Sequence, residues 1–83
     1  MKAQALYLDV RSPEEYAEDS IEASINIPVD ELHGRLAALG ACEREIVVYC
    51  RSGRRSALAA SILRRAGFTR IRDAGSIHNA RCV

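Results

Sequence analysis

One short stretch constrains the fold of this 83-residue chain more than any other. Residues 46–50 (Ile-Val-Val-Tyr-Cys) form an apolar run after charged residues, which is the pattern of a buried strand. Residues 57–63 form a helix-forming run, and the loop between the two is short and rich in arginine. A strand joined so closely to a helix predicts an α/β fold, and we expect residues 1–83 to form a single domain.

Cys50 lies where this strand ends and the helix is about to begin. A sulfur atom in that position faces the unsatisfied N–H groups of the helix N-terminus, which favour an anion. Such surroundings lower the pKa of a cysteine from about 8.5 to roughly 3.5–7.5 and produce the nucleophilic thiolate. The simpler alternative is a buried structural cysteine beside solvated arginines. The neighbouring cations favour the interpretation of Cys50 as a nucleophile, because cations destabilise a helix N-terminus unless an anion binds there. These cations are Arg51, Arg54 and Arg55.

The first apolar run, residues 6–10, predicts a strand that ends in charge. Asp9 and Arg11 would lie at the carboxyl end of that strand, which is the functional edge of a parallel sheet. An ordinary ion pair at the strand end explains them equally well. Ser12, Pro13 and Glu15 then predict a helix start with an N-cap, a proline at the first helical position and the glutamate of a capping box.

The rest of the chain continues to alternate strands with helices. We expect a second strand over residues 24–27, a helix from Asp30 to Gly40, and a last edge strand over residues 69–72. The Asp30 helix should bury a stripe of leucines and leave His33 on the surface. The helix after Cys50 should end near Ala66 with Gly67 in a left-handed conformation. Its buried side is predicted to hold Leu58, Ala59, Ile62 and Leu63.

Three segments resemble, in order and at similar spacing, the signatures of rhodanese-type sulfurtransferases. They are residues 50–56 (Cys-Arg-Ser-Gly-Arg-Arg-Ser), residues 8–16 and residues 25–28 (Ile-Asn-Ile-Pro). The resemblance covers nearly the whole chain and is strongest to the small single-domain members of the phage shock protein E type. The family's Gly-His-Ile segment is replaced here by residues 19–21, and its tryptophan is absent. Residues 73–76 are similar to the family's glycine turn, with one glycine missing.

This resemblance implies a small three-layer rhodanese-like α/β fold. We expect about four parallel strands with helices on both faces, and the strand that starts at Ile46 between the first and last strands.

The resemblance also implies sulfur transfer in two steps. The Cys50 thiolate would take the outer sulfur of thiosulfate or a similar donor, hold it as a persulfide, and pass it to cyanide or a thiol. Asp9 and Arg11 would support the site, and Arg55 is the best candidate for a fixed role in binding the donor. No general base, cofactor or metal is expected. The substrate-binding residues would be those of the loop, whose N–H groups and guanidinium groups face the anion: Arg51, Ser52, Gly53, Arg54, Arg55 and Ser56.

Charge is divided unevenly along the chain. Residues 1–43 hold three basic and nine acidic side chains, a net charge of −6, whereas residues 44–83 hold nine arginines and two acids, a net charge of +7. The basic half contains the cysteine loop, which suits a small anionic donor. A nucleic acid is the rival partner, but the sequence has no nucleic-acid-binding motif and few aromatic side chains for stacking. We expect a sulfur donor and a thiophilic acceptor, which includes the case of an acceptor protein, but no membrane partner.

The three cysteines cannot all pair within one chain, and none lies in a Cys-x-x-Cys motif. Free thiols fit the cytoplasm, with the periplasm as the alternative if an export signal has been removed. Cys42 should lie in the turn before the central strand and Cys82 near the chain end. His33 and His78 lack zinc-ligand spacing.

Three other functions are compatible with a reactive cysteine. Cysteine phosphatases and arsenate reductases place five residues between cysteine and an arginine that clamps an oxyanion, but here that spacing leads to Ser56. A sulfur carrier or regulatory module would accept sulfur once without turnover. A redox sensor would be oxidised at an exposed thiolate.

Overall fold

The computed structural model describes residues 5–82, which form one parallel sheet with helices packed around it. The strands are β1 (Leu6–Asp9), β2 (Ile25–Asn26), β3 (Ile46–Cys50) and β4 (Ile71–Ser76), and they are ordered β2-β1-β3-β4. All three neighbouring pairs are parallel. The predicted four-stranded parallel sheet is therefore confirmed, with β3 between the first and last strands.

Both faces of the sheet are covered. The helices are α1 (Pro13–Glu18), α2 (Val29–Leu32), a 3₁₀ helix (His33–Leu39), α3 (Arg54–Arg65) and α4 (Ile77–Ala80). The main core joins Leu8 and Val48 of the sheet to Leu32 and Leu63 of the helices. Because strand side chains alternate, Tyr49 points to the opposite face, where it is fully buried and α4 packs against β3.

Short-range sequence signals set the start of α1 and the end of α3. At α1, the Ser12 hydroxyl accepts a hydrogen bond from the Glu15 N–H, and the Glu15 carboxylate accepts one from the Ser12 N–H. The predicted capping box is therefore present. At the end of α3, Gly67 has φ +102°, and the Phe68 N–H donates to the Leu63 carbonyl. This is the Schellman geometry that the sequence predicts.

The single helix predicted from Asp30 to Gly40 is wrong. α2 begins after Pro28 and has four residues, and the chain continues as a 3₁₀ helix with a non-helical residue at Arg35. The leucine spacing persists across this break, since Leu32 and Leu39 are fully buried. Periodicity therefore located the buried side correctly but could not show the change of helix type.

Two further expectations are corrected. Leu58 is 55% exposed, because α3 packs its small residues Ala59 and Ala60 against the sheet and turns Leu58 outward. The last strand covers Ile71–Ser76 instead of residues 69–72, so residues 73–76 belong to the strand and not to a turn. One extra residue bulges β4 opposite the junction of Val48 and Tyr49.

Cys42 lies in the turn before β3 and is exposed, as expected, and Cys82 is exposed after α4. No helix within residues 5–82 is both long enough and apolar enough to cross a membrane.

Candidate active site

Cys50 is the last residue of β3, and its side chain is completely buried. The chain turns back immediately, so that two backbone N–H groups point at the sulfur. The Gly53 nitrogen lies 2.9 Å from the Cys50 Sγ, and the Ser56 nitrogen lies 3.3 Å from it. The loop and the first turn of α3 thus form a cradle of donors around one sulfur atom, which is the geometry of a backbone anion nest.

The cradle favours the thiolate over the thiol. Burial raises the pKa of Cys50, but hydrogen bonds from the Ser56 N–H and hydroxyl and from the Gly53 N–H more than offset burial and lower the pKa below its ordinary value. Donors that stabilise a charged acceptor act in this direction. The site therefore holds a buried sulfur whose anionic form is stabilised by fixed backbone groups.

The sharp turn depends on glycine and on contact with β4. Gly53 has φ +105°, a conformation that side chains other than glycine rarely adopt. A Cβ at Gly53 would lie 3.6 Å from the Gly75 Cα, so the loop and β4 pack closely. The buried Ser56 hydroxyl lies 3.1 Å from the Gly53 carbonyl and 3.4 Å from the Gly75 carbonyl. Ser56 therefore ties the loop to itself and to the last strand.

Arg55 is held by a partner from α1. Its Nη1 lies 2.8 Å from the Glu15 Oε1, and its Nη2 lies 3.1 Å from the Glu15 Oε2, so the ion pair is bidentate. The hydrogen bonds from Arg55, followed by that from the Ser12 N–H, lower the pKa of Glu15 to about 2. The Glu15 hydrogen bonds, together with the negative charges of Glu15 and Cys50, raise the pKa of Arg55. The charge of Arg55 therefore interacts with that of Cys50, while the ion pair with Glu15 holds the guanidinium in place.

The other loop residues face outward. Arg51, Ser52 and Arg54 are exposed, whereas Gly53 and Arg55 are half-buried and Ser56 is buried. Among residues 5–82, neither Arg51 nor Arg54 forms an ion pair. The predicted loop residues therefore divide into Gly53 and Ser56, whose N–H groups contact the sulfur, and the exposed Arg51, Ser52 and Arg54.

Asp9 and Arg11 form a buried pair at the neighbouring strand end. The Asp9 carboxylate accepts hydrogen bonds from the Arg11 backbone N–H, Nε and Nη2 at 2.7–3.1 Å. The Arg11 guanidinium also lies 5.9 Å from the centre of the Tyr49 ring and donates to the Asp19 carbonyl. This pair braces β1, β3 and the end of α1 next to the loop.

A cleft of about 200 Å³ opens beside these residues. Val10, Arg11 and Pro13 line one side, Pro28 and Val29 line another, and Arg55 joins the lining from α3. The cleft lies at the carboxyl ends of β1 and β2, where open α/β sheets bind ligands.

Sequence reasoning missed two participants. The sequence indicates only the capping-box role of Glu15, although its carboxylate also lies 2.8 Å from Arg55 Nη1. Gly75 was assigned to a turn, although it supplies a carbonyl to Ser56 from within β4. Across residues 5–82, no cluster of three or more histidine, cysteine or acidic side chains could hold a metal ion.

Comparisons with known proteins agree with this arrangement. The Rhodanese-like domain family matches residues 1–83. The thiosulfate sulfurtransferase PspE of Escherichia coli is 38% identical over 72 residues, covering 86% of this chain and 69% of that protein. The putative sulfur carrier protein YrkF of Bacillus subtilis is 39% identical over 64 residues, covering 77% of this chain but only 34% of that protein.

Solved structures give the same result. A rhodanese with anions from E. coli superimposes with a TM-score of 0.86 at 35% identity, covering 92% of this chain and 91% of the other. The human single-domain sulfurtransferase TSTD1 has a TM-score of 0.74 at 34% identity, with 88% and 74% covered. Together with the strand order and the cysteine loop, these matches show that this chain belongs to the rhodanese-like family of sulfurtransferases.

Proposed function

We propose that this protein, acting as one domain over residues 1–83, is a thiosulfate:acceptor sulfurtransferase in which Cys50 is the nucleophile. The observation that carries the proposal is the cradle around Cys50, where the Gly53 and Ser56 N–H groups approach the sulfur and the pKa of the thiol is lowered. A thiolate formed in this way needs no separate general base.

In the first step, the Cys50 thiolate attacks the outer sulfur of thiosulfate. The S–S bond of thiosulfate breaks, sulfite leaves with the bonding electron pair, and a Cys50 persulfide remains. Arg51 and Arg54, which are exposed and unpaired among residues 5–82, attract the dianionic donor to the loop. Arg55 contributes a positive charge that its ion pair with Glu15 partly balances.

In the second step, cyanide or a thiolate attacks the outer sulfur of the persulfide. The persulfide S–S bond breaks and its electron pair returns to Cys50 as the thiolate, which the same N–H groups stabilise. The donor and the acceptor therefore react in turn at one sulfur, and neither step needs a cofactor. The free thiols of this chain fit a cytoplasmic location.

Intact mass spectrometry after incubation with thiosulfate tests this proposal directly. Wild type should gain one sulfur, about 32 Da by atomic mass, and cyanide should remove it. Cys50→Ser should gain nothing, whereas the matched control Cys42→Ser, which changes an exposed free thiol, should load normally. An adduct that survives in Cys50→Ser would disprove the assignment of the nucleophile.

A sulfur carrier is the second candidate, and the burial of Cys50 favours it. The sulfur is fully buried, so a bulky acceptor would need to dock closely or induce an opening. Multiple turnovers with thiosulfate and cyanide alone would support the enzyme. One sulfur transferred per chain, with turnover only when an acceptor protein is present, would support the carrier.

The structure gives less support to a cysteine phosphatase. That chemistry needs an arginine directed at a tetrahedral oxyanion, and here Arg55 is engaged in a bidentate pair with Glu15. The N–H cradle also closes on one sulfur atom at 2.9 and 3.3 Å. We therefore expect no hydrolysis of a phosphate monoester such as p-nitrophenyl phosphate.

A further inference from the structure

One side of α3 carries a stripe of apolar and basic side chains, of which Arg54, Leu58 and Arg65 are exposed and Ile62 is half-buried. Of these residues, the sulfur-transfer steps above use only Arg54. We call Arg54, Leu58, Ile62 and Arg65 the α3 stripe, because spacings of three and four residues place them on one side of the helix. Leu58 is 55% exposed, and no other large hydrophobic side chain within residues 5–82 is exposed to this degree. One exposed leucine is ordinary in itself, so the surroundings decide its meaning.

The stripe continues into a concave, mostly apolar groove. Ile62, Arg65 and Ala66 of α3 form one wall, and His33 and Leu36 of the 3₁₀ helix form the other. The cavity measures about 220 Å³, which is large enough to take an apolar side chain from another molecule. Leu58 and this groove thus offer two apolar contacts, one projecting and one recessed.

The charged side chains that α3 contributes around these contacts are all basic. α3 contains no acidic residue, and of its four arginines only Arg55 forms an ion pair within the described part of the chain. The acidic residue nearest the groove in sequence, Glu31, is paired with Arg35. A partner that covers the stripe must therefore supply acidic groups around its apolar side chains.

The stripe also leads to the reactive sulfur. The Gly53 N–H donates to Cys50, and Arg54 is the next residue. From Arg54 to Arg65 the helix rises about 16 Å, since each residue adds about 1.5 Å. A segment lying along this distance would place a thiol at its end beside the cysteine loop.

We propose that the α3 stripe and groove dock an acidic, amphipathic segment of an acceptor protein and so deliver its cysteine to the Cys50 persulfide. This inference rests on the proposed sulfurtransferase function. The acceptor thiolate attacks the outer persulfide sulfur, the S–S bond breaks, Cys50 regains the electron pair, and the acceptor becomes a persulfide. The acceptor's thiol proton goes to solvent. The recessed groove favours a protein over a lipid surface, because it admits single side chains.

The first test measures binding without chemistry. Isotope-labelled Cys50→Ser protein is titrated with a synthetic 12-residue peptide that has leucines four residues apart, glutamates between them and an N-terminal serine. Amide shifts should change along residues 54–66 and 33–36. Leu58→Gln should weaken binding about fivefold or more, the loss that marks an important interface residue. The matched control Arg72→Gln changes an exposed arginine on β4 and should have no effect.

The second test measures transfer from sulfur-loaded protein to the same peptide with an N-terminal cysteine. Leu58→Gln should slow this transfer by the same factor and leave transfer to 2-mercaptoethanol unchanged. A peptide with glutamine in place of glutamate should react more slowly, and raised salt should remove the difference.

Several results would overturn the docking proposal. Amide shifts elsewhere on the protein, or peptide transfer equal in wild type and Leu58→Gln, would contradict it. Shifts of the stripe with protein concentration alone would assign the face to a second copy of this chain. Leu58-dependent binding to phosphatidylserine vesicles in place of the peptide would assign it to lipid. Failure to form a persulfide would instead reject the sulfurtransferase function, while the Cys50→Ser titration would still report docking separately.

Discussion

Two arginine–carboxylate pairs flank the cysteine loop, and burial separates their roles. In the Asp9–Arg11 pair, the side chains are 0% and 7% exposed, and both residues lie within three positions on one strand end. In the Glu15–Arg55 pair, the side chains are 22% and 36% exposed, and the residues are 40 positions apart. The first pair supports the sheet edge from within. The second joins α1 to the start of α3 across the surface.

The comparison shows why similar geometry does not mean similar energy. Both pairs are bidentate, but removing one partner of a buried pair leaves an unpaired charge away from water. The Glu15–Arg55 pair is half-buried, so water can replace a lost partner in part, and the loss of stability should be smaller than at the Asp9–Arg11 pair. The Asp9–Arg11 pair should therefore control stability, and the Glu15–Arg55 pair should chiefly control the position and the balance of one charge.

The largest effect is expected for Arg11→Met, which leaves the Asp9 carboxylate buried and unpaired. The free energy of unfolding should fall by about 3–5 kcal/mol. Urea unfolding followed by circular dichroism measures this change. Asp9→Asn combined with Arg11→Met should recover part of the loss, because no charge then remains buried. A loss for Arg11→Met below about 1 kcal/mol would contradict the distinction between the two pairs.

A smaller effect, this time on kcat/KM, is expected when the Glu15–Arg55 pair is changed. Glu15→Gln keeps an acceptor for the capping box but removes the charge beside Arg55. The kcat/KM for thiosulfate should rise about two- to fivefold, the scale of a solvent-screened charge interaction, because the Arg55 charge would no longer be balanced. Arg55→Gln should lower kcat/KM by a similar factor.

Steady-state kinetics with thiosulfate and cyanide measure both variants. Glu14→Gln is the matched control, since it removes an exposed charge from the same turn of α1, and Glu14 forms no ion pair within residues 5–82. Its kcat/KM should stay near wild type. If Glu15→Gln and Arg55→Gln both lowered kcat/KM equally, the role of Glu15 would be to position Arg55 and not to balance its charge.

Acid should weaken the Glu15–Arg55 ion pair over a defined pH range. The pKa of Glu15 is lowered in the folded state from 4.5 to about 2. Its contribution to stability is therefore fully present above pH 4.5 and is lost as the pH falls from about 4.5 towards 2. The difference in unfolding free energy between wild type and Glu15→Gln should be constant from pH 7 to 5 and shrink below that. A constant difference down to pH 3 would contradict the Arg55 hydrogen bonds as its source.

The same contrast between local and long-range contacts explains what the sequence could predict. The capping box at Ser12, the stop at Gly67 and the cysteine at the end of β3 involve neighbours in sequence, and all three are confirmed. The Glu15–Arg55 pair joins residues 40 positions apart, and no periodicity encodes it.

The wrong predictions have the same origin. The sequence pattern predicts Leu58 on the buried side of α3 with Ala59, Ile62 and Leu63. The close approach of Ala59 and Ala60 to the sheet instead decides the orientation of the helix. β4 continues past Arg72 to Ser76 because its backbone pairs with β3. The side chains of this extension do not alternate between apolar and polar, so the sequence does not indicate a strand there. The roles assigned to the loop residues 50–56 remain predictions for the experiments above.

The smallest effect on the free energy of unfolding should appear at a third ion pair, Arg35–Glu31, with which the other two pairs can be compared. Arg35 Nη1 lies 3.5 Å from Glu31 Oε1, and the two side chains are 50% and 53% exposed. Arg35→Ala should change the free energy of unfolding by no more than about 0.5 kcal/mol, since exposed pairs one helical turn apart contribute little. Urea unfolding at low and high salt measures it. A loss as large as that of Arg11→Met would mean that burial does not rank these pairs, and the kinked segment around Arg35 would then need its own explanation.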